Sequence, residues 1–100
     1  MITPIHARMA RSSLGWSQME LKNRTGLSKT TLIRFEAGLG VHYKTAQTLE
    51  AVFTKEGLTF LYEDNAHGPG VLLSKDLSRR LSQEAEKPKT PNSRKRSQKT

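Results

Sequence analysis

The stretch GWSQMELKNRTGLSKTTLIRFEAG, residues 15–38, holds two short helical patterns separated by Gly26-Leu27-Ser28. Ser17 has the chemistry of an N-cap, and Glu20 follows three residues later, the pattern of a capping box. The helix that opens there runs from about Gln18 to Thr25 with Leu21 inward, and Gly26 ends it. Leu27 drops into the core. Ser28 then caps a second helix from about Lys29 to Ala37, with Leu32, Phe35 and Ile33 on its inward side, and Gly38 ends that one. Helices of this length are marginal in isolation. They must be held by each other and by what surrounds them.

Working outward, Thr3 is an N-cap and Pro4 suits the first turn of a helix, where a missing N–H costs nothing. Ile5, Met9 and Ser12/Ser13 follow at helical spacing, Leu14-Gly15 ends the helix, and Trp16 enters the core. On the other side, a helix fits from about Tyr43 to Lys55, with Ala46, Leu49, Val52 and Phe53 on one stripe. Gly57 breaks it. LTFLY, residues 58–62, reads as a short strand, NAHGPG as turn chemistry, and VLLS as a returning strand, a hairpin with a loose tip. Leu77, Leu81 and Ala85 form a narrow stripe over 74–86, suited to a partner or a fraying helix and not to a core. The tail KPKTPNSRKRSQKT has no apolar periodicity and is expected to be disordered.

The 100 residues make one small domain. Formal net charge is +8, which points to a polyanionic partner, nucleic acid first and an anionic membrane surface second. The charge is uneven: residues 1–55 carry eight Lys/Arg and three Glu, residues 56–86 three Lys/Arg and six Asp/Glu, and residues 87–100 six Lys/Arg and no acid. With no cysteine, a disulfide framework and a thiolate metal site are excluded. His6, His42 and His67 are far apart in the chain, so no metal site is expected. No apolar run approaches the length of a membrane span, and the N-terminus lacks the apolar core of a signal peptide. A cytoplasmic, soluble protein is the expectation. No nucleophile motif, phosphate-cradling glycine loop or converging carboxylate pair is present, so no enzyme, cofactor or catalytic residue is expected.

Two short helices joined across a three-to-four-residue turn containing glycine make a helix-turn-helix. The first braces across a phosphate backbone, and the second projects its N-terminal residues into the major groove. Arg11, Trp16-Ser17-Gln18, Leu21, Gly26-Leu27-Ser28, Leu32, Phe35-Glu36 and Gly38, with a fourth helix behind them, resemble the helix-turn-helix of the lambda-repressor-like family (Cro and Xre-type regulators). The resemblance covers about residues 4–56 and, more loosely, the segment from Gly57 to Leu73. Lys22 stands where the family usually has a small residue, so its stem must run outward.

The resemblance implies a mostly α fold: a four-to-five-helix lambda-repressor-like domain, a short β-hairpin or strand pair, and a basic tail. Residues 1–56 would form the DNA-binding domain, 57–86 an extension for a dimer or partner contact, and 87–100 the disordered tail. Lys29, Thr30, Thr31 and Arg34 would read bases, since Lys and Arg donate to guanine O6/N7 and threonine methyls meet thymine methyls. Ser17, Gln18, Ser28, Arg11, Tyr43 and Lys44 would contact phosphates, and Arg11 and Glu36 would form a structural pair. The implied function is a sequence-specific DNA-binding transcriptional regulator, a repressor acting as a homodimer on a near-palindromic operator in double-stranded DNA. The competing reading is an antitoxin or anti-activator that binds a protein partner through residues 57–86 and DNA for autoregulation. A polybasic membrane-surface protein is disfavoured, because no basic amphipathic helix accompanies the tail.

Overall fold

Each of the first three helices begins at a hydroxyl that closes its first turn. In the computed structural model, which describes residues 1–86, Thr3 Oγ1 accepts the His6 N–H at the start of α1 (Pro4–Leu14). Ser17 Oγ accepts the Glu20 N–H at the start of α2 (Gln18–Thr25). Ser28 Oγ accepts the Thr31 N–H at the start of α3 (Lys29–Glu36). The fourth helix, α4 (Tyr43–Glu56), starts at His42 without a side-chain cap. An antiparallel pair follows, β1 (Leu58–Leu61) and β2 (Gly70–Leu73), in the register Leu58 to Leu73 and Leu61 to Gly70. The last helix is α5 (Lys75–Glu86). The described chain is thus mostly helical, with five helices and one two-stranded sheet. The tail at 87–100, expected to be disordered, lies outside the described residues.

The corner between α2 and α3 depends on Gly26. Its φ of 78° is in the left-handed region that a side chain disfavours, and its N–H still donates to Lys22 O. Thr25 Oγ1 then accepts the Leu27 N–H. The chain therefore reverses without leaving these polar backbone groups unpaired.

One apolar core runs through the described residues. Ile2, Ala7, Ala10 and Leu14 from the N-terminal arm and α1 meet Leu21, Leu32 and Phe35 from the two short helices. Ala46, Leu49 and Phe53 of α4 join them, and Leu58, Phe60 and Leu77 continue the same cluster beyond α4. Phe53 stands near the middle, with ring centroids 6.1 Å from both Trp16 and Phe60.

Several local expectations are corrected. Ile5 is exposed and Met9 only partly buried. The inward face of α1 is His6, Ala7, Ala10 and Leu14, set by a stripe of small residues against which neighbouring helices pack closely. Ser17 and Glu20 do not form a reciprocal box: the Glu20 carboxylate turns to Arg24 at 2.7 Å, an i,i+4 pair in the favourable orientation. The reciprocal box is at α1, where the partner of Thr3 is His6. Tyr62 lies outside β1. The hairpin tip is not loose, because Asp64 Oδ1 accepts the N–H groups of Ala66 and His67. These backbone donors hold the Asp64 carboxyl below its ordinary pKa.

The 74–86 stripe also does more than fray. Leu77 is buried in the core and Leu81 packs against it, while the side chain of Ala85 lies outside the described ones. Arg80 reaches Glu56 at 3.3 Å, and Arg24 reaches the same carboxylate at 3.2 Å while its guanidinium lies 4.4 Å over the Trp16 ring. Here α5, the end of α4 and the end of α2 meet around one acid.

His6 was missed as a structural residue. It is almost fully buried. Its Nδ1 accepts the Thr3 N–H at 3.1 Å, so its Nε2 carries the proton and donates to Leu61 O at 2.7 Å. One ring thus caps α1 and ties it to the end of β1, edge-on to Phe60 and Tyr62. His6→Ala should cost about 1–3 kcal/mol, because it strands the polar groups that the ring now satisfies. His6→Phe should recover only part of this, since it restores the ring and not the nitrogens. Urea midpoints unchanged in both variants would remove this role.

Candidate nucleic-acid interface

The exposed side of α3 follows from helical geometry. With about 3.6 residues per turn, Leu32, Phe35 and Glu36 fall on one arc, and all three are buried. Thr30, Ile33 and Arg34 fall on the opposite arc and are exposed, and Lys29 is exposed because it opens the helix, although its angle is close to that of Glu36. Ile33 was expected inward; it is 44% exposed, because one residue of advance from Leu32 turns it about 100° off the core stripe. An apolar side chain therefore stands among the cationic ones. The helical angle alone could have shown this.

What fixes the orientation of α3 is Glu36. Its carboxylate is 7% exposed, and both oxygens are engaged by Arg11 of α1: Nε donates to Oε2 at 2.7 Å and Nη2 to Oε1 at 2.9 Å. This is the planar two-point geometry that only a guanidinium supplies. Gln18 of α2 approaches Oε1 at 3.5 Å, and Arg11 Nη1 donates to Trp16 O at 3.1 Å. One acid on α3 thus joins α1, the α1–α2 junction and the start of α2. The hydrogen bond to Glu36 raises the Arg11 pKa, against an opposing effect of burial.

Arg8, which the sequence reading passed over, donates to Glu36 O at 3.3 Å. It places a cation at the C-terminal end of α3, where the helix dipole favours one. That end closes with two backbone bonds, Gly38 N–H to Phe35 O and Leu39 N–H to Arg34 O, the pairing of a Schellman turn.

The other candidate residues fall into three groups. Lys29, Thr30, Arg34 and Lys44 are exposed, and no side-chain hydrogen bond of theirs is found among the described residues. Thr31 is half-buried, with its hydroxyl accepting from Ser28 Oγ at 2.9 Å. Ser17 and Ser28 are engaged as caps, Gln18 is turned toward Glu36, and Tyr43 Oη accepts from Gln47 at 3.0 Å while remaining exposed. Ser17 and Gln18 meet at the N-terminal end of α2. Tyr43 and Lys44 meet at the N-terminal end of α4. Free N–H groups and the dipole suit an anion at such ends.

Among the described residues no cluster of His, Asp and Glu is arranged to hold a metal ion. Among the same residues no helix is long and apolar enough to cross a membrane. Neither a family model nor a curated protein matches the chain.

Proposed function

We propose that this chain is a sequence-specific DNA-binding transcriptional regulator, a repressor acting as a dimer on a near-palindromic operator. In this reading α2 and α3, joined at Gly26-Leu27-Ser28, are a helix-turn-helix of the lambda-repressor-like type. The observation that carries it is the Glu36 anchor. A buried acid locks α3 to α1 and α2 while leaving Lys29, Thr30, Ile33 and Arg34 exposed and without side-chain hydrogen bonds among the described residues. Unpaired donors on a rigidly held helix are what base edges in a major groove require. The excess of positive charge over residues 1–55 supplies the attraction to phosphate. Ser17, Gln18, Arg11, Ser28, Tyr43 and Lys44 position the backbone, and Lys29, Thr30, Thr31 and Arg34 read the bases.

A second reading rests on the hairpin. Leu61, Tyr62 and Leu72 are 44%, 48% and 53% exposed. An apolar surface there favours a protein contact through residues 57–86, either the second subunit or the target of an antitoxin or anti-activator.

Selection of bound sequences from random duplex DNA tests the first reading, with an inverted repeat as the expected result. Lys29→Ala and Arg34→Ala should each alter preference at defined positions, by about 1–3 kcal/mol of discrimination. Gln18→Ala should weaken all duplexes alike. If both α3 variants recovered the parental motif with parental affinity, the base-reading assignment would be wrong.

A further inference from the structure

The seat of Arg34 involves more than α3. Gly40 has a φ of 60°, and a methyl group on it would lie 3.4 Å from Arg34 Nη2, 3.5 Å from Arg34 Nε and 3.6 Å from His42 Nε2. The guanidinium and the imidazole therefore both border the space that a side chain at Gly40 would enter. The loop is also tied to the same residue from below, since Leu39 N–H donates to Arg34 O at 2.8 Å.

Among the described residues the His42 side chain makes no hydrogen bond or ion pair. Thr3, Ser17 and Ser28 each hold a backbone N–H at the head of a helix, whereas His42 occupies that place on α4 and caps nothing. Its Nε2 instead borders the same Gly40 position as the Arg34 guanidinium.

We infer that Gly40 and His42 are specificity-determining positions that seat the Arg34 guanidinium, so that the α3–α4 loop helps set which base this arginine selects. The inference rests on the DNA-reading proposal. Its physical basis is preorganisation. An arginine has many rotamers, and its planar fork discriminates guanine only when held in the plane of the base edge. Gly40 provides a flat floor without a side chain, and His42 limits sideways motion. Both act as positioning residues.

The test is motif selection from random DNA by the parental chain, Arg34→Ala, His42→Ala and Gly40→Asn. Asparagine tolerates the left-handed backbone but puts a Cβ in contact with the guanidinium and an amide beyond it that competes for the adjoining space. His42→Ala and Gly40→Asn should both lose discrimination at the base position that Arg34→Ala loses, by about fivefold or more. Positions assigned to Lys29 and Thr30 should keep their preference. In the free protein, the 15Nε–1Hε NOE of Arg34 should fall in His42→Ala, which a purely phosphate-binding histidine would not cause. A His42→Ala motif identical to the parental one overturns the seat while leaving the DNA reading intact. A parental chain that selects no motif overturns the DNA reading and this inference together.

Discussion

Glu36→Ala should lower the unfolding free energy by about 3 kcal/mol, toward the lower end of the cost of breaking a buried ion pair. The reasoning concerns what is left behind. Removing the carboxylate leaves the Arg11 guanidinium without its two-point partner, and that side chain is only 25% exposed. Water can reach part of it, which keeps the cost below that of a fully enclosed charge. Gln18 and Arg8 would also lose an organised end of α3, since their contacts run to the side chain and the carbonyl of the same residue. Glu36→Gln keeps the shape and should cost less than Glu36→Ala, because one amide oxygen can still accept from Arg11. Urea unfolding followed by circular dichroism measures both. A Glu36→Ala midpoint equal to that of the parent would mean that packing alone orients α3.

Phe53→Ala should be at least as damaging, at about 3–5 kcal/mol. Phe53 is fully buried, roughly parallel to Trp16 at an interplanar angle of 27° and inclined to Phe60 at 64°. The ring bridges the junction before α2 and the first strand, so the cavity left by alanine is bordered by elements that cannot all close on it together. Trp16 is the sole tryptophan, and its fluorescence therefore reports on this contact. Fluorescence and far-ultraviolet ellipticity should shift together to lower urea, as they do when a domain unfolds in one step. If the fluorescence transition moved and the ellipticity transition stayed, the surroundings of Trp16 and the bulk of the helices would be separate cooperative units.

The parts of the fold legible in the sequence are those written locally. Thr3, Ser17, Ser28, Gly15, Gly26 and Gly57 mark helix ends through side-chain or backbone conformations that need no distant partner. The Arg11–Glu36 contact came instead from the family resemblance, and the geometry places both residues as that resemblance implies. What escaped depended on distant groups. Ile5 looked like a core residue by hydropathy, yet the packing of α1 selects Ala7 and Ala10, whose small side chains carry little signal. Glu20 had two available uses, the backbone of its own first turn or Arg24, and the proximity of Glu56 to Arg24 makes the second a network. His6 gave no sign of its role, because its acceptor, Leu61 O, is 55 residues away. For the candidate interface, Thr30 and Arg34 were readable from helical angle, and Lys29 from its place at the head of the helix after the Ser28 cap. The approach of Arg34 and His42 to Gly40 was not, since it arises only once α3 has turned back through its Schellman end.

The division of labour on α3 bears on how such a chain changes over generations. Leu32, Phe35 and Glu36 hold the helix, and Thr31 is bound to its cap, whereas the side chains of Lys29, Thr30 and Ile33 support nothing in the described structure. Substitutions at those three outward positions should be nearly neutral for folding, as exposed sites generally are. On the proposed reading they are also the positions that face bases. New binding preferences are then reachable by single codon changes that never pass through an unfolded ancestor. Arg34 is the constrained member of the set, because its seat is shared with a loop that would have to change with it.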